Sequence, residues 1–353
     1  MDPLSSVLSL LKPRSYRAGG FDLGGNFAIN FPKLESVKCF SVVSGQCWLS
    51  VEGVPDAVRL TVGDCFLLPR GLSSCLASDL TLTPVDARTI FPFPLNGRIA
   101  SYHGGGDCLL VGGNFVVSDK PADVLLAGLP PIVHIRKKLH KAAMRWCLER
   151  MREELQKPQL GGFLVVQQLA YMMLVQALRL HLAERLPERV GWLFALSDKQ
   201  MSAAITFMHD EPAHDWTVEE LGRRIGLSRS TFALRFKEAV GVSPMEYLTR
   251  WRMLVAGDRM ANTSDSISEI AQSLGYESAS AFTRAFKKIM GCSPRQYSRG
   301  QKICLPSAPG QSIGTQGRNG GEQYESFLSG TICAAQANTT RKKQSPSGER
   351  EAF

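Results

Sequence analysis

The chain has 353 residues, of which 44% are hydrophobic and 21% charged, and it carries a net charge of +9. That length exceeds one ordinary domain and that hydrophobic content suits globular cores, so two domains plus an extension are expected. Nine cysteines, scattered with no C-x-x-C pair, argue against a disulfide framework and a zinc cluster. The charge alone selects no partner, since residues 196–301 hold fourteen lysines and arginines against twelve acids, a net of +2.

The chain opens on Met1, Asp2 and Pro3, with an acid where a secretory signal carries positive charge, which predicts a cytoplasmic protein. Residues from about 38 to 120 alternate short apolar runs, such as Cys39 to Val43, Cys47 to Val51 and Cys65 to Leu68, with breaks at Gly63-Asp64, Pro69 to Gly71 and Gly112-Gly113. Several runs follow a period of two, which predicts a compact antiparallel sandwich or barrel. From about 138 the period becomes helical. Lys138 to Gln156 and Phe163 to Glu184 read as amphipathic helices; Gln167, Gln168 and Gln176 interrupt the second and argue against a membrane span. Its apolar residues, among them Leu164, Leu169, Met172 and Leu178, would either cover the sheet or pair two subunits. A third helical block runs from Trp192 to Met208. After about 301 the composition turns to Gly, Ser, Gln, Asn and Thr, so residues 302–353 are expected to be a disordered tail.

Between the third block and the tail a pattern is written twice. Thr217 and Ser266 each precede a glutamate by three residues, the signature of a capped helix start. Each predicted helix stops at a glycine, Gly226 or Gly275, suited to a tight turn. Ser228 and Ser278 then cap a second helix whose buried face is marked by Phe232 and Phe236 in one copy and Phe282 and Phe286 in the other. Ser243-Pro244 and Ser293-Pro294 open a further helix in each. Helix, glycine turn, helix is the helix-turn-helix unit, predicted here at about 217–239 and 266–289. Two copies are too few for a solenoid, and Met245 to about Met260 separates them as a helix of roughly 24 Å. Adding the modules at its ends brings the two second helices to about 34 Å apart, one turn of duplex DNA.

Tyr276-Glu277-Ser278, Phe282 to Lys287 and Gly291 to Tyr297 resemble the signature of AraC-type transcription regulators, and residues 196–301 resemble their DNA-binding domain. Residues 1–190 resemble the cupin-like sensor domain of one branch of that family, notably at Asp2 to Leu4 and Gly63 to Gly71. The resemblance implies an α+β chain of two domains, an N-terminal cupin-like antiparallel β-barrel with flanking helices and a C-terminal all-α double helix-turn-helix. It implies a regulator, an activator by the family's commoner outcome, with double-stranded DNA, RNA polymerase and a small-molecule effector as partners, a homodimer through the helices before 190, and no membrane. Carried over position by position, the base-reading residues are Ser230, Ala233 and Leu234 in the first unit and Ala279, Ser280, Thr283 and Arg284 in the second. Many relatives have arginine where this chain has Leu234, so the first unit would meet thymine methyls or hold position, unless Leu234 packs inward. Phosphate contacts are expected from Thr217, Arg224, Ser228, Arg229, Arg235 and Lys237, and from Ser266, Ser278, Lys287 and Lys288.

A cupin can also be a metal-dependent enzyme, which needs imidazoles converging inside the barrel. No histidine occurs between residues 38 and 76, and Phe40 and Ser74 stand where metal-binding relatives tend to place one, so neither catalysis, a metal nor any other cofactor is expected. Two sensing modes remain open. An effector would lie among inward aromatics such as Phe40 and Trp48. Alternatively Cys39, Cys47, Cys65, Cys75 or Cys108 would report oxidants, as cysteines do in some relatives.

Overall fold

The computed structural model describes residues 1–11, 15–91, 93, 95, 97–116, 126, 128–136, 142–183 and 191–300. The expected tail at 302–353 lies outside them. A short helix, α1 (Pro3–Leu11), is followed by β1 (Ser15–Leu23), β2 (Ala28–Phe31), β3 (Val37–Ser44), β4 (Gln46–Val51), β5 (Val58–Thr61), β6 (Cys65–Leu68), β7 (Ser74–Ala77) and β8 (Val85–Asp86). After a single turn of helix, α2 (Ala87–Ile90), come β9 (Ile99–Tyr102), β10 (Cys108–Val116) and β11 (Val133–Ile135).

These strands form two sheets, ordered β11-β6-β3-β10-β1-β9 and β5-β4-β7-β2-β8. They are not closed into a barrel, and the predicted antiparallel order is interrupted where β9 joins β1 and β8 joins β2 in parallel. The chain changes sheets between β3 and β4 at Gly45, whose φ of +74° and approach to the Asp107 carbonyl leave no room for a Cβ. Phe40 and Val42 of β3 meet Phe66, Leu68 and Leu110 and, from the other sheet, Leu49 and Leu76 in one core. Val37 and Cys39 face the opposite way, into a second core with Cys65, Leu67 and Val111. Both faces of the six-stranded sheet are therefore buried, which is why β3 and β6 read as continuous apolar runs rather than strict alternation.

The second core is closed by α3 (Ala142–Gln156) and α4 (Gly162–Ala183). α4 is long and apolar enough to cross a membrane, yet Val166, Leu169, Ala170, Met173, Leu174, Ala177 and Leu178 are buried in the protein. The third predicted helix is two helices, α5 (Trp192–Ala195) and α6 (Lys199–Asp210), because the Asp198 side chain accepts from the amides of Gln200 and Met201 and starts a new one.

The remainder is helical: α7 (Val218–Arg224), α8 (Arg229–Val240), α9 (Pro244–Asn262), α10 (Ile267–Gln272), α11 (Ala279–Met290) and α12 (Pro294–Ser298). At 19 residues α9 is longer than predicted, roughly 28 Å at 1.5 Å per residue. Phe232, Phe236, Phe282 and Phe286 are all fully buried. They share a continuous apolar core with α3 and α4 and with Val7 and Leu8 of α1. The terminal ammonium of Met1 lies 3.0 Å from Asp210 at the end of α6.

Candidate nucleic-acid interface

Each repeat is assembled from caps, a glycine turn and a pair of rings. The Ser266 hydroxyl accepts from the Glu269 amide at 3.2 Å while the Glu269 carboxylate accepts from the Ser266 amide at 2.7 Å, a complete reciprocal cap that also holds the Glu269 carboxyl below its usual range. In the first repeat only half of this forms. Thr217 accepts from the Glu220 amide at 3.0 Å, but the Glu220 carboxylate binds His214 at 3.1 Å and Arg224 at 3.0 Å, and its pKa is lowered first by the His214 hydrogen bond. The turns follow at Gly226 and Gly275, with φ of +74° and +78°.

The second helices, α8 and α11, are each 12 residues long, start 50 positions apart, are capped by Ser228 and Ser278, and stop at left-handed Gly241 and Gly291. Burying their phenylalanines turns a matching set outward. Ser230 and Leu234 are exposed on α8 and Ala279, Ser280 and Arg284 on α11, with Ala233 and Thr283 half-buried at equivalent places. Leu234 is 60% exposed, which removes the alternative that it packs inward.

Of the expected phosphate ligands, Thr217, Ser228, Ser266 and Ser278 cap helices, and the cations divide into two groups. Arg229, Lys237, Lys287 and Lys288 are exposed, and neither they nor Arg284 enter an ion pair among the described residues. Arg224 and Arg235 have partners inside the protein. The Arg224 guanidinium stands 4.5 Å from the centre of the Trp216 ring and 5.4 Å from that of Phe207, besides pairing with Glu220. Arg235 reaches Asp198 and Gln200, each at 2.8 Å, and so ties α8 to the start of α6. His209, in the last turn of α6, stacks 3.6 Å from Trp251, bonds Tyr247, and is pushed down to about 3 by burial; it is a neutral core group. Sequence reasoning passed over Trp216 and Arg252 because their contacts cross from one element to another.

The sensing candidates fall in different surroundings. Phe40 belongs to a cluster of rings between the sheets, 5.7 Å from Phe21 and 6.1 Å from Phe66. Trp48 does not face that space. Cys47, Leu49 and Val51 of β4 point inward, so Trp48 lies on the outer face beneath Arg59, 5.9 Å away. Cys39 and Cys65 lie on the helix-facing side with their sulfurs 3.8 Å apart, and their mutual hydrogen bond and then burial push the Cys39 thiol up. Cys47 is likewise raised, by its hydrogen bond to Cys108 and by burial, and Cys75 by burial. Among the described residues no cluster of three or more histidine, cysteine or acidic side chains could hold a metal.

Comparison with known proteins separates the same two parts. A cupin family matches residues 2–183 and a helix-turn-helix domain family matches residues 221–300. An AraC-like transcription regulator of Streptomyces antibioticus is 41% identical over 301 residues, 85% of this chain and 99% of its own. One from Streptomyces lividans is 40% identical over 301 residues, 85% of this chain and 98% of its own. Among solved structures, the C-terminal domain of AraT, a response regulator from Geobacillus stearothermophilus, is 29% identical with a TM-score of 0.29, covering 32% of this chain and 94% of that one.

Proposed function

The chain belongs to the AraC-like DNA-binding transcription regulators, and from that premise we propose that it activates transcription in the cytoplasm by laying α8 and α11 in successive major grooves, under the control of a small-molecule effector held by its first domain. The observation that carries this reading is the pair of equivalent helices, one presenting Ser230 and Leu234, the other Ser280 and Arg284, beside Arg229, Lys237, Lys287 and Lys288, which enter no ion pair among the described residues. The two readers are chemically unlike. Arg284 offers a planar donor to guanine, whereas Leu234 offers only apolar contact to a thymine methyl. The exposed cations serve phosphates, RNA polymerase is the partner at the promoter, and the apolar surface of α4 at Leu164, Val165 and Met172 pairs two copies. Selection from randomised duplex by the full chain tests the core of the proposal. Two sequence blocks about one helical turn apart are expected for each bound chain, and two such pairs where sedimentation finds two chains per duplex. Enrichment of no block at any salt would sink it.

A second reading has a specific observation behind it, the 3.8 Å separation of the Cys39 and Cys65 sulfurs. Hypochlorous acid would convert one thiol to a sulfenyl chloride with release of water, and the sulfur of the other thiol would then attack the sulfenyl sulfur, expelling chloride and losing its proton to form a disulfide. Because α3 and α4 pack on that side of the sheet, the change would reach the helices first. Operator binding is then expected to change with oxidant in the native chain and not in Cys39→Ser or Cys65→Ser. Identical responses in all three would eliminate this mode.

A further inference from the structure

The two reading units are joined at a place other than the ends of the linking helix. Arg252 lies near the middle of α9. Its Nε donates to the Pro212 carbonyl at 2.5 Å and its Nη2 to the His214 carbonyl at 2.8 Å. Its guanidinium also stands 5.7 Å from the centre of the Tyr276 ring. Pro212 and His214 belong to the loop that leads into the first unit, and Tyr276 belongs to the turn of the second. One side chain therefore grips both.

The parts it grips are stiff. In the loop, Trp216 is buried, its Nε1 donates to the Glu211 carbonyl at 2.9 Å, and its amide donates to the His214 carbonyl at 2.8 Å. The next residue, Thr217, caps α7. On the other side Gly275 comes so close to the loop that a Cβ would lie 2.4 Å from the Ala213 carbonyl oxygen, and its φ of +78° is one that glycine adopts freely. Tyr276 packs edge-on against Phe282, 5.5 Å away, on the buried face of α11. A continuous path thus runs from the start of the first unit through Arg252 to the core of the second reading helix.

A linking helix of 19 residues can curve gently along its length, which leaves the units at its two ends some relative freedom. A half-buried guanidinium shared between two carbonyls and an aromatic face removes that freedom, since its planar fork fixes direction as well as distance. We propose that Arg252 is a positioning residue. By locking the entry loop of the first unit to the turn of the second, it sets the separation and rotation of α8 and α11, and hence the half-site spacing of the DNA the chain accepts. The inference rests on the double-reader proposal above.

Selection from randomised duplex with the full chain, repeated for Arg252→Lys and Arg252→Leu, tests it. Lysine keeps the charge but has neither fork nor flat face. The native chain is expected to enrich two blocks at a single separation, and both variants to enrich the same blocks at more than one. When one base pair is added between the blocks, native binding should fall by about tenfold or more, and binding of the variants by less than about threefold. Three results overturn the assignment: a folded variant that keeps one separation, a variant whose affinity drops by the same factor on both duplexes, or an Arg252→Lys chain that loses its helical signal, because the residue would then hold the fold and not the spacing. If the native chain enriches nothing, the DNA-reading proposal fails instead.

Discussion

Phe286→Ala is expected to destabilise the helical part of the chain by about 3–5 kcal/mol, the range for deleting a fully buried aromatic ring. Phe286 has no exposed surface, and its ring lies 5.8 Å from Phe282 and 5.5 Å, edge-on, from Tyr297 of α12. Met290, one turn further along α11, is also fully buried, and its flexible side chain can refill only part of the space that the ring leaves. A helix of 12 residues is marginal by itself, and α11 owes its position to this face. The loss should therefore be read twice, as a lower unfolding midpoint in urea followed by tryptophan fluorescence and as disappearance of the sequence block that α11 reads. Leu234→Ala is the control on the equivalent helix. With 60% of its surface exposed it should change stability by no more than about 0.5 kcal/mol. A Phe286→Ala loss below about 1 kcal/mol would mean that the ring is not what holds the reading helix in place.

The burial of Phe286 was legible from the sequence, because caps, turn glycines and rings four apart are local signals whose meaning does not depend on distant residues, whereas the sequence left Leu234 between a groove contact and inward packing. Ser266, Gly275 and the pair Phe282 and Phe286 do in the structure what their spacing predicts. Other features were legible but misread. In β4 the residues Cys47, Leu49 and Val51 set the inward phase, and Trp48 shares the outward phase of Gln46 and Ser50 whatever its size. The break at Asp198 is of the same kind, since an aspartate within a helical pattern reads equally as surface charge or as cap. What no local pattern could supply is the fate of each cation. Arg224, Arg229 and Arg235 look alike in the chain, yet the Trp216 ring holds the first and Asp198 the third through contacts that only packing creates, while the Arg224–Glu220 pair, one turn apart on α7, is a local one. The separation into two sheets is also non-local, because it is decided by which strands β3 and β4 join on either side of Gly45.

Arg284→Ala is expected to relax sequence choice at one base pair while leaving the other preferences of the full chain unchanged. Arg284 is exposed near the middle of α11 and enters no ion pair among the described residues, so its guanidinium is free to bond both acceptors on the major-groove edge of guanine. Such a pair discriminates by about 1–3 kcal/mol, which corresponds to roughly five- to 150-fold between the preferred base and its competitors. Lys287→Ala should behave differently. A lysine against a phosphate carries no base information, so its loss should weaken all sequences alike and lower the log–log salt slope by about one unit. Comparing the two variants over a set of single-base operator changes at two salt concentrations separates the roles. An Arg284→Ala chain that loses affinity uniformly, with a shallower salt slope and every base preference intact, would show Arg284 to be a phosphate ligand and would leave the choice of guanine to another residue of α11. Alanine leaves α11 free to form, since it is the strongest helix former and Arg284 contributes nothing to the ring-lined core. The unfolding midpoint of this variant should therefore match the native one, which distinguishes lost recognition from the lost scaffold of Phe286→Ala.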